Sequence, residues 1–127
     1  MIRTNSQKMA QAAYKGVAEI GISGEFASFA RGFPSLAHSS GLAQAIAFAM
    51  AKGAKCHQQD LEILVAVLGA GGFGHFRDAK GLEKAVRECA AAEYMRISRG
   101  AFIAADWIKR YAEATPSESE KTAKGKS

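Results

Sequence analysis

The sequence predicts an all-α protein, a single compact bundle of about six helices, and three observations carry that prediction. Helix formers led by Ala, Leu and Glu dominate, and almost no second β-branched run is available from which to build a sheet. Apolar residues recur at steps of three and four along most of the chain. Glycine and proline then cut these periodic stretches into separate segments.

In chain order, Asn5 or Ser6 can cap a first helix running to about Ile20, with Met9, Ala13, Val17 and Ile20 as its apolar stripe. Gly21 and Gly24 bracket a break, after which Ser23 caps a short helix to about Gly32 that turns Phe26, Phe29 and Ala30 inward. Pro34 steers Phe33 away from helical angles and itself suits a first turn, so a central helix is expected from Pro34 to Lys52. Lys52 favours the dipole at its end, and Gly53 can take the left-handed cap. Leu42, Ala45, Ile46, Ala49 and Met50 share one side of this helix while Phe48 lies on another, so other helices are expected to surround it. His38-Ser39-Ser40-Gly41 interrupts its propensity and permits either a kink or a close contact with a neighbour.

After a polar link from Ala54 to Gln59, Asp60 opens a fourth helix with Leu61, Leu64, Val65 and Leu68 at helical spacing. GAGGFG, Gly69 to Gly74, reads as a flexible loop bearing Phe73, His75 and Phe76. A fifth helix, about Ala79 to Cys89, turns Leu82, Val86 and Cys89 or Ala90 inward and leaves its charges in solvent. The last, about Ala91 to Ala114, carries a packing seam of Tyr94, Ile97, Ala101, Ala104, Ile108 and Tyr111. From Thr115 onward the only apolar residue is an alanine, so residues 1–114 are expected to form the helical domain and 115–127 a disordered tail.

With 23% charged and 48% hydrophobic residues, the chain has the balance of an ordinary soluble globule, and no apolar run approaches the ~20 residues of a membrane span. MIRTNSQKMAQ has no apolar core of a signal peptide, so a cytoplasmic location is expected. Cys56 and Cys89 read as free, partly buried thiols. A net charge of +5 favours a polyanionic partner, nucleic acid or an acidic protein, over a cationic ligand.

Gly69, Gly71 and Gly74 satisfy the spacing of a dinucleotide fingerprint, with Glu93 about 20 residues on. That fingerprint needs a parallel sheet, which this composition does not supply, so a glycine-rich connection between helices is the stronger reading. His38, His57, His75 and the two cysteines show no metal-ligand spacing, and no nucleophile, base and orienting partner can be grouped by spacing. No metal, cofactor or catalytic residue is therefore expected. Arg96, Arg99 and Arg110 fall within an arc of about 60° on the last helix, with Ile103 inside it and Trp107 at its edge. Such a stripe suits contact with a phosphate backbone and a stacking side chain, and competes with a plain solvated face. Trp107 could stack on a base, but a lone tryptophan more often serves the core or an interface. Arg31, Lys52 and Lys55 can extend the same surface if the fold brings them to it.

Two stretches resemble the small helical subunit of the type III-B CRISPR effector, the Cmr small-subunit family. FPSLAHSSGLAQAIAF is similar to that family's Pro…Gly-Leu-x-Gln…Ala-Phe signature through Pro34, Gly41, Leu42, Gln44, Ala47 and Phe48. EYMRISRGAFIAADWIKRYA is similar to its closing helix through Tyr94, Arg96, Trp107, Lys109, Arg110 and Ala112. The likeness spans nearly all of residues 6 to 114. It implies a non-catalytic subunit of a ribonucleoprotein that works in antiviral defence, with other Cmr subunits, guide RNA, target RNA and further copies of itself as partners. Copies would stack beside the guide-bound backbone, and cleavage would belong to other subunits. Arg96, Arg99, Lys109 and Arg110, with Arg31 and Lys52, would then face RNA phosphates, while the guide reads the bases.

The chain departs from the family's pattern in three places. Gly100 stands in the last helix where relatives carry a larger polar residue, at about 1 kcal/mol in helix propensity relative to Ala. Ser39-Ser40-Gly41 replaces a frequent Asn-Gly, and GAGGFGHF is unusually glycine-rich. Partner contact, a conformational glycine and a buried polar tie all remain open for Gly41 and Gln44. A small nucleotide-binding enzyme using Gly69 to Gly74 is the competing function. A helical DNA-binding regulator ranks below both, because no short turn leads into a base-reading helix.

Overall fold

The computed structural model describes residues 2–21 and 23–115 and is built of six helices. They are α1 (Asn5–Ile20), α2 (Gly24–Ser40), α3 (Leu42–Lys52), α4 (Lys55–Ala70), α5 (Ala79–Glu88) and α6 (Ala91–Ala114), with no strand among the described residues. The expected tail lies, beyond Thr115, outside the described residues. Among the described residues no helix is long and apolar enough to cross a membrane.

α1 begins one residue earlier than its expected caps, because Thr4 forms a capping box with Gln7. The Thr4 hydroxyl accepts from Gln7 N at 3.1 Å, and Gln7 Oε1 accepts from Thr4 N at 2.8 Å. Met9, Ala13 and Val17 form its buried stripe. Ser23 caps α2 through Phe26 N, but α2 does not end at Gly32. It runs on through Pro34 to Ser40, so the expected helix start at Pro34 is a helix interior. A proline there removes one hydrogen bond and costs about 3 kcal/mol. The offset is continuous burial, since Phe26, Ala30, Phe33, Pro34 and Ala37 all lie in the core.

The break falls at Gly41 instead. Its N–H donates to Ala37 O at 2.9 Å and closes α2, while its carbonyl accepts from Ala45 N at 3.0 Å and opens α3. Gly41 sits at φ 87°, ψ 154°, a conformation essentially reserved for glycine. The Ser-Ser-Gly stretch is thus neither a kink nor a mere close approach but a corner between two helices. α3 buries Leu42, Ala45, Ile46 and Ala49 and stops at left-handed Gly53. It is not surrounded: Phe48 is 47% exposed, with the Lys52 ammonium 5.4 Å above its ring.

α4 starts at Lys55, so the supposed polar link is its first turn and Asp60 is interior, 2% exposed. Cys56, Asp60 and Leu64 share one side at four-residue steps, and Leu61, Ile63, Val65, Val67 and Leu68 bury most of the rest. α5 is capped twice. Asp78 accepts from Gly81 N at 2.8 Å, and Glu62 of α4 accepts from Ala79 N at 2.7 Å. Buried side chains from all six helices form one cluster. α6 lies against α1, α2 and α4, while α3 packs on α2 and α4, and α5 packs on α3 and α4.

The glycine-rich connection after α4 is a packed clasp. Phe73 lies on α6 so closely that a methyl group at Gly100 would collide with its ring, and Phe73 N donates to Leu68 O. Gly71 is equally constrained, because a Cβ there would meet Met9 Sδ at 2.6 Å. Gly100 therefore gives up helix propensity to seat Phe73. Of the glycines that imitate a dinucleotide fingerprint, Gly71 makes room for Met9 of α1, while Gly69 and Gly74 lie against His75 and Phe76 of the connection itself, with no strand among the described residues.

Candidate nucleic-acid interface

α6 is long enough, at 24 residues, to carry a buried and an exposed face along its whole length. Ile97, Gly100, Ala101, Ala104, Ala105, Ile108 and Ala112 are buried, and five of these seven are Gly or Ala, so neighbouring helices approach closely. Arg96, Arg99 and Arg110 are exposed on the other side, with Ile103 between them at 39% exposure. Their surroundings differ.

Arg96 is tied down. Its guanidinium donates to both oxygens of Glu93, at 2.7 and 3.2 Å, and to Gly72 O at 3.1 Å. The hydrogen bond from Arg96 holds the Glu93 carboxyl below its ordinary range and, from the other side, raises the guanidinium. Arg96 therefore pins the clasp to α6, and its charge is locally balanced. Arg99 and Arg110 make no ion pair among the described residues.

The remaining cations divide between two places. Gly41, at the end of α2, lies by Tyr94 near the start of α6, and His38 stacks on Phe102 with ring centroids 4.1 Å apart. The two helices thus run antiparallel. Arg31, exposed on α2, and half-buried Lys109 of α6 lie on these two packed helices, each beyond the His38–Phe102 stack. Lys52 sits nine residues, about 14 Å, along α3 from the Tyr94 contact at Ala43, over Phe48, apart from the α6 row. Lys55 begins α4 beside Glu19, Gln58 and Glu62, again in a different setting.

Trp107 is half-buried and stacks on Tyr111 at 5.8 Å, and Tyr111 meets Tyr14 of α1 edge-on at 5.6 Å. It belongs to an aromatic cluster at the α1–α6 contact. The other motif residues also separate. Pro34 and Leu42 are core and Gly41 is the corner. Gln44 and Ala47 are exposed beside Glu83 and Arg87 in a cleft between α3 and α5, so Gln44 is not a buried tie.

Three features escaped the sequence reading. The Tyr94 hydroxyl accepts from Ala43 N at 3.1 Å and supplies the cap that α3 lacks in its own side chains. Glu62 caps α5 from a neighbouring helix. Asp60 is enclosed with Oδ2 unpartnered, and burial pushes its carboxyl up to about 7. Only the last had a sequence signal, since Asp60 stands four residues from both Cys56 and Leu64 on a core stripe. Among the described residues no group of three His, Cys, Asp or Glu could hold a metal. Both cysteines are free.

Comparison with known proteins bears on the whole helical unit. The family model described as CRISPR-associated protein (Cas_Cmr5) matches residues 5–115. The CRISPR system Cmr subunit Cmr5 of Thermus thermophilus is 37% identical over 116 residues, covering 89% of this chain and 96% of that protein. The crystal structure of a CRISPR-associated Cmr5 family protein from the same organism superposes with a TM-score of 0.79 at 38% identity, over 89% of this chain and 97% of the other.

Proposed function

The chain belongs to the Cmr5 family of CRISPR-associated proteins, and from that premise we propose that it is a non-catalytic structural subunit of a type III-B RNA-guided, RNA-targeting complex. In this reading copies stack beside the guide-bound backbone and help retain target RNA through a basic surface. The observation that carries the RNA contact is the exposed row of α6, where Arg99 and Arg110, on either side of Ile103, make no ion pair among the described residues. Arg31 of α2 and Lys109 of α6, on two helices that pack together, would extend this charge. Backbone contact of this kind neutralises phosphates and carries no sequence preference, as suits a complex whose guide reads the bases. Arg96 contributes to the surface chiefly by fixing its edge, because Glu93 and Gly72 already occupy its donors.

The test is the double charge reversal Arg99→Glu and Arg110→Glu in the assembled complex. Both side chains are exposed, so the helical spectrum and melting temperature are expected to stay as they were. Target-RNA retention is expected to fall, and its dependence on salt to flatten by roughly one to two in log–log slope. Unchanged retention with a folded subunit would leave the family membership standing and remove the RNA contact from this face.

A further inference from the structure

A cleft of ≈ 420 Å³ opens between the α2–α3 corner and the first half of α6, within the range of about 300–1,000 Å³ usual for small-molecule sites. Leu42, Met95 and Phe102 give it apolar walls, and Arg99 stands at it with no ion pair among the described residues. Ser98 also lines it, and its Oγ is buried without any hydrogen-bond partner. His38, stacked on Phe102, and Tyr94 complete the lining, and the unsatisfied Ser98 hydroxyl among them calls for a ligand that brings a polar edge with it. Three other surface clefts each include a carboxylate, Glu19 and Glu62, Glu25, or Glu83, whereas this one has none. The site therefore combines aromatic and apolar walls, the His38 imidazole, one unused hydroxyl and a cation.

The geometry points to this cleft as a nucleobase pocket, which takes one unstacked base of a bound RNA while Arg99 meets the adjoining phosphate. This rests on the RNA-holding reading and goes beyond it, because phosphate contact alone needs neither the cleft nor Ser98. Aromatic and apolar walls accept any base face, so occupancy tolerates all four bases. The Ser98 hydroxyl can donate to or accept from a base edge, which adds no strong preference. A protein side chain is the less suitable occupant. An acidic one would pair with Arg99 but leave the apolar walls wet, and an apolar one would leave the Ser98 hydroxyl unpaired.

The experiment uses the assembled complex with a target RNA carrying 4-thiouridine, irradiated and mapped by mass spectrometry of crosslinked peptides. Adducts are expected on residues 94–102 and 37–42. Phe102→Leu is expected to lower their yield about tenfold, and Met95→Trp, which fills the mouth from a position 65% exposed and leaves the core alone, to do the same. Adducts confined to other parts of this chain would overturn the pocket and keep the basic surface. No adduct on this chain, together with retention indifferent to the Arg99 and Arg110 reversals, would overturn both. Oxidation of Met95 is the second readout, expected to be fast in the RNA-free complex and slow once target RNA is bound. Protection already present without RNA would assign the cleft to a neighbouring protein and overturn the proposal.

Discussion

Asp60 and Gly100 are the two residues at which this molecule spends stability most visibly. A carboxyl raised by burial binds its proton more tightly in the folded than in the unfolded chain. Its ionisation therefore destabilises the fold as pH rises from the ordinary carboxylate range through about 7, and the penalty is complete above that. Thermal unfolding is expected to show rising stability from pH 8 to pH 5 from this group. Asp60→Asn should remove that gain and raise the melting temperature at pH 8, while an unchanged pH profile would show that Asp60 is not the source. Gly100 has the opposite logic. Ala would add helix propensity of about 1 kcal/mol, but its methyl meets the root of the Phe73 ring, which cannot swing aside cheaply. Gly100→Ala is thus expected to lower stability and to speed amide exchange around Phe73, readable by hydrogen exchange.

At the level of the helices, end chemistry decides more than periodicity does. Tyr94→Phe removes the one side-chain hydrogen bond found among the described residues at the start of α3 and is expected to cost about 1 kcal/mol, with faster exchange at Ala43 as its local signature. Stripes such as Met9-Ala13-Val17 and Ile97-Ala101-Ala104-Ile108 were legible because each repeats within one helix. α5 and α6 were legible end to end for the same reason. Pro34 misled because its local preference for a helix start is outweighed by burial on either side, and burial is a property of partners. Lys55 to Gln59 looked like a link because the turn has no side-chain cap to announce it. In the candidate interface, spacing located the exposed arginines of α6 but could not distinguish them. The carbonyl that occupies Arg96 lies 24 residues away, and the stack of His38 on Phe102 that joins α2 to α6 follows only from antiparallel packing.

For the whole molecule, α6 is the axis on which α1, α2 and α4 converge, and one continuous cluster of buried side chains joins all six helices. Such an arrangement has no obvious place to come apart in stages. Unfolding followed by helical ellipticity and by Trp107 fluorescence is expected to give coincident transitions, and separated midpoints would reveal a part that opens alone. The same connectedness gives the Gly41 corner a meaning for how the chain can change length. One residue ends α2 and begins α3, so there is no slack to absorb an insertion. A single added residue in α3's first turn would rotate the remainder of the helix by about 100° and carry Ala45, Ile46 and Ala49 out of the core as a group. The corner thus acts as a phase lock, fixing which side of α3 faces inward and leaving Phe48 and Gln44 at fixed compass points on the outer surface.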